Sequence, residues 1–271
     1  MGPSTSSSNT NTNPHIPHIQ LLCMQEKYAL AFEEARRHHE LPDTISIAHH
    51  DCALSQLPGS VQFDTIVSPA NSYGQMDGAF DDAISRALSP VDDYAALTRA
   101  VQARLYGKWR GFAPPGTCTL VKIPWDDDKG ADAKFAASKT RSRNVWGVKR
   151  VALCPTMRLP TSAEWNREVV YECVWSLLCA VDNHNRAVRE GKLSADGQGD
   201  DVEEICSVLM TPLATGVGRV SPDRWAAQAV LALKHFEDAS QNPDTWSRLG
   251  WKELGDYSVE VEATWKPEKA Q

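Results

Sequence analysis

The sequence has no apolar run approaching the roughly 18–20 residues that a membrane-spanning helix needs, so no membrane partner is expected. Its N-terminus has no basic region followed by an apolar stretch, which argues against secretion. It has no C-x-x-C pair, and its seven cysteines are odd in number, so they read as buried thiols rather than a disulfide framework. That usage fits a reducing compartment, cytoplasmic or nuclear. Positive charge is also in short supply. The 28 Lys and Arg are outnumbered by 35 Asp and Glu, giving a net charge of −7. A basic face for nucleic acid is therefore not expected, and an anionic ligand would have to be held by backbone amides and helix ends. The G-x-x-x-x-G-K-[ST] phosphate loop is missing, as is an early G-x-G-x-x-G, which disfavours a P-loop enzyme and a dinucleotide-dependent dehydrogenase. What is present is ordinary globular composition: 271 residues, 42% hydrophobic, with 16 Gly and 16 Pro. One domain with a sizeable core, acting as a monomer, is the expectation.

Residues 1–14, MGPSTSSSNTNTNP, are nearly free of apolar side chains and read as a disordered leader. Gly2 and Ser6 match the myristoylation pattern, but Pro3 is an awkward neighbour and an unstructured tail is the preferred reading. Residues 15–271 then alternate short apolar runs with amphipathic segments. Strands are expected over 19–24, 45–48, 64–68, 118–123, 150–154 and 205–211, several of them nearly continuous in apolar character, as in strands covered on both faces. Helices are expected over 28–38, 80–88 and 92–106. A long one is expected from a Thr161-x-x-Glu164 capping box to Gly191, with the stripe Trp165, Val169, Cys173, Leu177 and Val181. Another starts at the Ser221-Pro222 cap and buries Trp225, Ala229, Leu233 and Phe236. Polar stretches near 126–144 and 190–204 read as surface insertions. Strict alternation of Tyr257, Val259, Val261, Ala263 and Trp265 reads as a final edge strand. The pattern predicts a three-layer α/β/α sandwich around a mixed, mostly parallel sheet.

In such folds ligands bind beyond the carboxyl ends of strands. Three segments there are chemically unusual: Ser68-Pro69-Ala70-Asn71-Ser72 continuing through Asp77, Gly78 and Ala79 to Asp81; Thr215-Gly216-Val217-Gly218-Arg219-Val220 before a helix; and His49-His50-Asp51-Cys52. Gly216 and Gly218 would let backbone amides converge on a phosphate, with the helix from Ser221 adding its positive end; a tight strand-to-helix turn is the competing reading.

The run Asp64-Thr65-Ile66-Val67-Ser68-Pro69-Ala70-Asn71-Ser72, followed by Asp81-Asp82-Ala83-Ile84 and Arg86-Ala87, resembles the first ligand loop of macrodomains. Thr215-Gly216-Val217-Gly218 resembles their phosphate-binding loop, and Asp51 stands where they carry an adenine-recognising Asp. Cys154-Pro155-Thr156-Met157-Arg158 is similar to a segment of the subset with an S-P-A-N-S first loop. The order agrees across roughly residues 19–240. The resemblance implies an ADP-ribose cleft. In it, Asp51 and Cys52 would meet adenine, and Asn71 the distal ribose. Gly78, Ala79, Thr215, Gly216, Val217, Gly218, Arg219 and Val220 would line the diphosphate and its surroundings.

It also implies that Asp81 or Asp77, with Asn71, would serve hydrolysis of ADP-ribose from modified proteins or of ADP-ribose 1″-phosphate. A reader module without chemistry is the alternative. The family's hydrolases carry a glycine run where this chain has Met76-Asp77-Gly78-Ala79, which sets transfer chemistry apart from binding. The competing reading of both carboxylates is favourable charge at a helix N-terminus. The poly(ADP-ribose) glycohydrolase signature is absent. No cofactor and no metal are expected, because His49, His50, Asp51 and Cys52 alternate faces along a strand. Cys154 reads as a structural thiol. The nine Trp read as packing, with one aromatic free to stack on adenine and none singled out.

Overall fold

The computed structural model describes residues 15–125, 142–192 and 203–266. The leader over 1–14 and most of the two polar stretches lie outside the described residues. Among the described residues six strands form one sheet: β1 (His18–Leu22), β2 (Ile47–His50), β3 (Thr65–Ser68), β4 (Thr119–Lys122), β5 (Arg150–Leu153) and β6 (Ser207–Met210). The order is β2-β1-β6-β3-β5-β4, parallel throughout except for the antiparallel pair β4 and β5. Every residue of β3 and β5 is buried, Thr65, Ser68 and Arg150 included, so neither strand alternates between exposed and buried positions.

Three helices cover one face: α1 (Glu26–His38), α4 (Val169–Arg189) and α5 (Pro222–Gln241), with α5 packed against both others. They share a core with Ile19, Leu21, Val67, Ala152, Val208 and Met210. On the opposite face, α2 (Ala79–Leu88) and α3 (Ala96–Trp109) pack with Leu22, Ile66, Val151, Leu153 and Leu209. Alternate residues of one strand thus feed two cores, and the three-layer α/β/α sandwich follows.

Two expected elements differ. The long helix begins at Val169, not Thr161. The Thr161 hydroxyl donates to the Leu159 carbonyl, and it is Ser162 whose hydroxyl accepts from the Glu164 amide, so 161–168 is a run of turns with Trp165 70% exposed. From Val169 the expected stripe holds, and Gly191 ends the helix at φ 61°.

The C-terminal segment is a helix, α7 (Trp251–Ala263), and not an edge strand; a short helix α6 (Pro243–Trp246) precedes it. Tyr257, Val261 and Trp265 are spaced four apart as well as alternating, and the helical spacing wins because α5 offers partners on that face. The Tyr257 hydroxyl donates to Asp238 (2.5 Å), Gln228 to Thr264 (3.0 Å), and the Trp265 indole to Glu168 (3.1 Å). Val259, which a strand would have left beside them, is 65% exposed.

Candidate functional site

A cavity of about 300 Å³ opens at the carboxyl ends of β1, β3, β5 and β6. Four segments wall it: Met24, Gln25 and Tyr28 after β1; Pro69 to Asp81 after β3; Thr156, Met157 and Pro160 after β5; and Thr211 to Gly218 after β6. β6 sits between β1 and β3, whose onward connections run to opposite edges of the sheet, so the cavity lies where strand order reverses.

Its amide chemistry comes from two places. α2 starts at Gly78 with no side-chain cap, and Ala79 and Phe80 donate no backbone hydrogen bond to another described residue. Opposite, the N–H groups of Thr215, Gly216, Val217 and Gly218 likewise have no acceptor among the described residues. The loop is held by other atoms: Val220 N–H donates to the Ala214 carbonyl (3.1 Å), Arg219 N–H to Gly216 (3.1 Å), and Ala163 N–H to Gly218 (2.8 Å). Ser221 caps α5 by accepting from the Arg224 amide (3.2 Å). Ala79 (φ 51°), Ala214 (φ 61°) and Arg219 (φ 59°) all sit in the left-handed region, which costs non-glycine residues about 1–2 kcal/mol each. Strain of this kind gathers where loop shape serves a ligand.

Two side chains stand out on the wall. Asn71 folds back on its own loop: its carbonyl accepts from the Tyr73 (3.1 Å) and Gln75 (3.3 Å) amides, and its amide donates to the Gln75 carbonyl (2.8 Å). It also bridges in parallel to Met157, extending the β3–β5 pairing into the cavity rim. Asp81 is 7% exposed and accepts a 2.7 Å hydrogen bond from the Ser68 hydroxyl on Oδ1. Burial, with the Asp77 charge nearby, pushes its carboxyl up to about 7, against the lowering effect of Ser68. Asp77 is exposed and accepts from Gln75 (3.0 Å).

Of the residues singled out from sequence, Asn71, Asp77, Gly78, Ala79, Asp81, Thr215, Gly216, Val217 and Gly218 line one cavity. Arg219 and Val220 belong to the same loop but not to the lining, Val220 being buried in the core beside α5. Asp51 and Cys52 also lie outside the lining. Asp51 is exposed after β2, and the β1–β2 pairing, continued by a Cys23 to His50 backbone bond of 2.9 Å, sets it next to the Met24 rim. Its charge there reinforces burial in pushing the Cys23 thiol up to about 11.

Among the described residues no group of three or more His, Cys, Asp or Glu could hold a metal ion. Cys154 is fully buried; its contact with Cys118 and its burial hold the thiol protonated. The wall formed by Met24, Gln25 and Tyr28 was not expected from sequence, since that segment has neither glycines nor a strand-to-helix Asp motif; only the placement of β1 beside β6 brings it in. Most of the Trp pack: Trp175 stacks with Trp246 (5.5 Å), and Phe63 with Trp146 (6.0 Å). Trp251, at 91% exposure, does not. Among the described residues no helix is long and apolar enough to cross a membrane. No protein-family model matches the chain, and no curated protein matches it.

Proposed function

We propose that this chain is a macrodomain-like protein that binds ADP-ribose, or an ADP-ribose derivative, in the cavity at the strand ends. The observation that carries the reading is the pair of amide sets on two walls of the cavity, at the start of α2 and along Thr215–Gly218, which have no acceptor among the described residues, in a described lining with no basic side chain. A diphosphate bridging them satisfies orphan N–H groups and meets the positive end of α2, which suits an acidic protein. The sugar beyond it then lies by Asn71 and Asp81, and the base extends toward Met24 and Tyr28, with Asp51 at the rim. The order of motifs described above supports the same assignment.

Hydrolysis of the bond to the distal ribose, from a modified protein or from the 1″-phosphate, is the activity this site would perform, with Asp81 or Asp77 at the reacting end. The non-catalytic reader draws support from two particulars. The Asn71 carboxamide is already engaged with its own loop, and Ala79 places a methyl group where the resembled hydrolases have glycine. Calorimetric titration with ADP-ribose, ADP and NAD side by side tests the binding: ADP-ribose is expected to bind best, and no binding of any of the three overturns the reading. Release of free ADP-ribose from mono-ADP-ribosylated protein then identifies the enzyme. Tight binding without release from glutamate-, serine- or arginine-linked substrates identifies the reader.

A further inference from the structure

Asp81 is nearly sealed from solvent, and of its two oxygens one is held by the protein while the other opens onto the cavity. Ser68 Oγ donates to Oδ1 at 2.7 Å, while Oδ2 has no hydrogen-bond partner among the described residues and the residue lines the cavity. A carboxylate set this deep, with one neutral donor and no cation beside it among the described residues, is costly to ionise, whereas a carboxylic acid whose O–H points into the cavity at a ligand oxygen is not. We infer that Asp81 meets the ligand as a neutral carboxylic acid, donating from Oδ2 to an oxygen of the bound diphosphate sugar, and that Ser68 is the positioning residue that reserves Oδ1 and leaves the proton on Oδ2. This rests on the binding proposed above and assigns Asp81 a donor's part in it, so that ligand capture takes up a proton from solvent wherever free Asp81 is ionised.

The surroundings leave the carboxyl little else to pair with. Asp77, in the loop before α2, adds negative charge that opposes ionisation. On α2 itself, Asp82 is engaged by Arg86 (2.8 Å) and by the Tyr94 hydroxyl (2.6 Å) on the outer side. Across the cavity, Thr211–Gly218 contains no titratable side chain. Thr156–Pro160 contributes Arg158, whose guanidinium lies over Phe112 at 5.0 Å. The α1 side brings Glu26 and Lys27, the latter 5.0 Å from the Tyr28 ring centroid. From β3, the partner is Ser68 alone. The raised carboxyl, at about 7, agrees with this geometry.

Two measurements decide it. In the free full-length chain, carboxyl-carbon NMR, with Asp81→Asn to assign the signal, is expected to show Asp81 titrating near neutrality. Ser68→Ala should move that midpoint upward, because the lost donor favoured the ionised form, and Ser68→Thr should return it. A midpoint below 5 in the wild type overturns the inference whatever the ligand does. Calorimetry with ADP-ribose in buffers of differing ionisation enthalpy is then expected to show uptake of a substantial fraction of one proton per site at pH 7.5 in the wild type and none in Asp81→Asn. Binding without proton uptake overturns the inference and leaves the proposed binding intact. Failure of ADP-ribose to bind at any pH overturns that binding and the ligand half of the inference together, with the NMR titration reporting separately on the acid.

Discussion

Gly218 passes so close to Ala214 that a Cβ on it would lie 2.3 Å from the Ala214 carbonyl oxygen. That oxygen also accepts from the Val220 amide at 3.1 Å, so it cannot yield without opening the loop. Gly218→Ala is therefore expected to cost about 1–3 kcal/mol of stability, as overpacking does, and to weaken ADP-ribose binding at least tenfold. Gly216 is the contrast. Its Cβ would meet nothing within 4 Å and its φ is ordinary, so Gly216→Ala should leave the melting temperature unchanged while obstructing the ligand. Thermal melts and calorimetry on the two variants separate loop shape from ligand contact; equal melting temperatures would refute the close-approach argument.

Asp51 and Asn71 test opposite ends of the proposed ligand. Asp51→Ala is expected to weaken ADP-ribose binding by about 1–3 kcal/mol, the cost of losing a hydrogen bond to a charged group, while affinity for ribose 5-phosphate, which lacks the base, stays the same. Unchanged ADP-ribose affinity would remove Asp51 from the site, in keeping with its place outside the cavity lining. Asn71→Ala should cost both binding and loop order, since three hydrogen bonds at 2.8–3.3 Å depend on that side chain.

The strands were readable in the sequence to within a few residues, because buried strands such as β1, β5 and β6 carry short, largely apolar runs between turn signals; β2, half-buried and ending in His49 and His50, lies two residues beyond the expected 45–48. The loops after β3 and β6 were readable too, through glycine and Asx chemistry at strand ends. The cavity wall at Met24–Tyr28 was not, because it depends on which strands are neighbours, and strand order is a long-range property. The C-terminal helix was misread because Tyr257, Val261 and Trp265 satisfy two periodicities at once, and only the partners on α5 choose between them. The separation of Asp81 from Asp77 was available in principle: Asp81, Ile84, Ser85 and Leu88 share one buried face of α2, whereas Asp77 precedes it.

Burial of Asp81 has a consequence for stability. Its carboxyl is raised from an ordinary value near 3.8 to about 7 in the folded chain, so the native state binds the extra proton between those values. Stability from this group is present at low pH and lost as pH rises toward 7, by on the order of 4 kcal/mol in all. Asp81→Asn keeps the shape and cannot ionise. It is expected to raise the urea midpoint relative to wild type at pH 8, with the difference shrinking toward pH 5. A pH-independent difference would mean that Asp81 is ionised in the fold.

The opposite sign is expected where α7 meets α5. His235 is 1% exposed, with Nδ1 3.1 Å from the Tyr171 hydroxyl and Nε2 3.2 Å from Glu260. Burial lowers its pKa below the ordinary 6.5, against the pull of Glu260, so the folded chain holds it neutral while the unfolded chain protonates it. Stability from this site is complete above about 6.5 and falls as pH drops through and below that value. The cluster reports on itself, since Trp246 lies 4.5 Å from Tyr257 and 5.5 Å from Trp175. Acidification from pH 7 to 5 should change tryptophan fluorescence before global unfolding, as α7 loosens. His235→Gln, which cannot take up the proton, should suppress that early change even if it lowers stability at neutral pH. An identical acid transition in wild type and variant would show that the docking of α7 does not depend on a neutral His235.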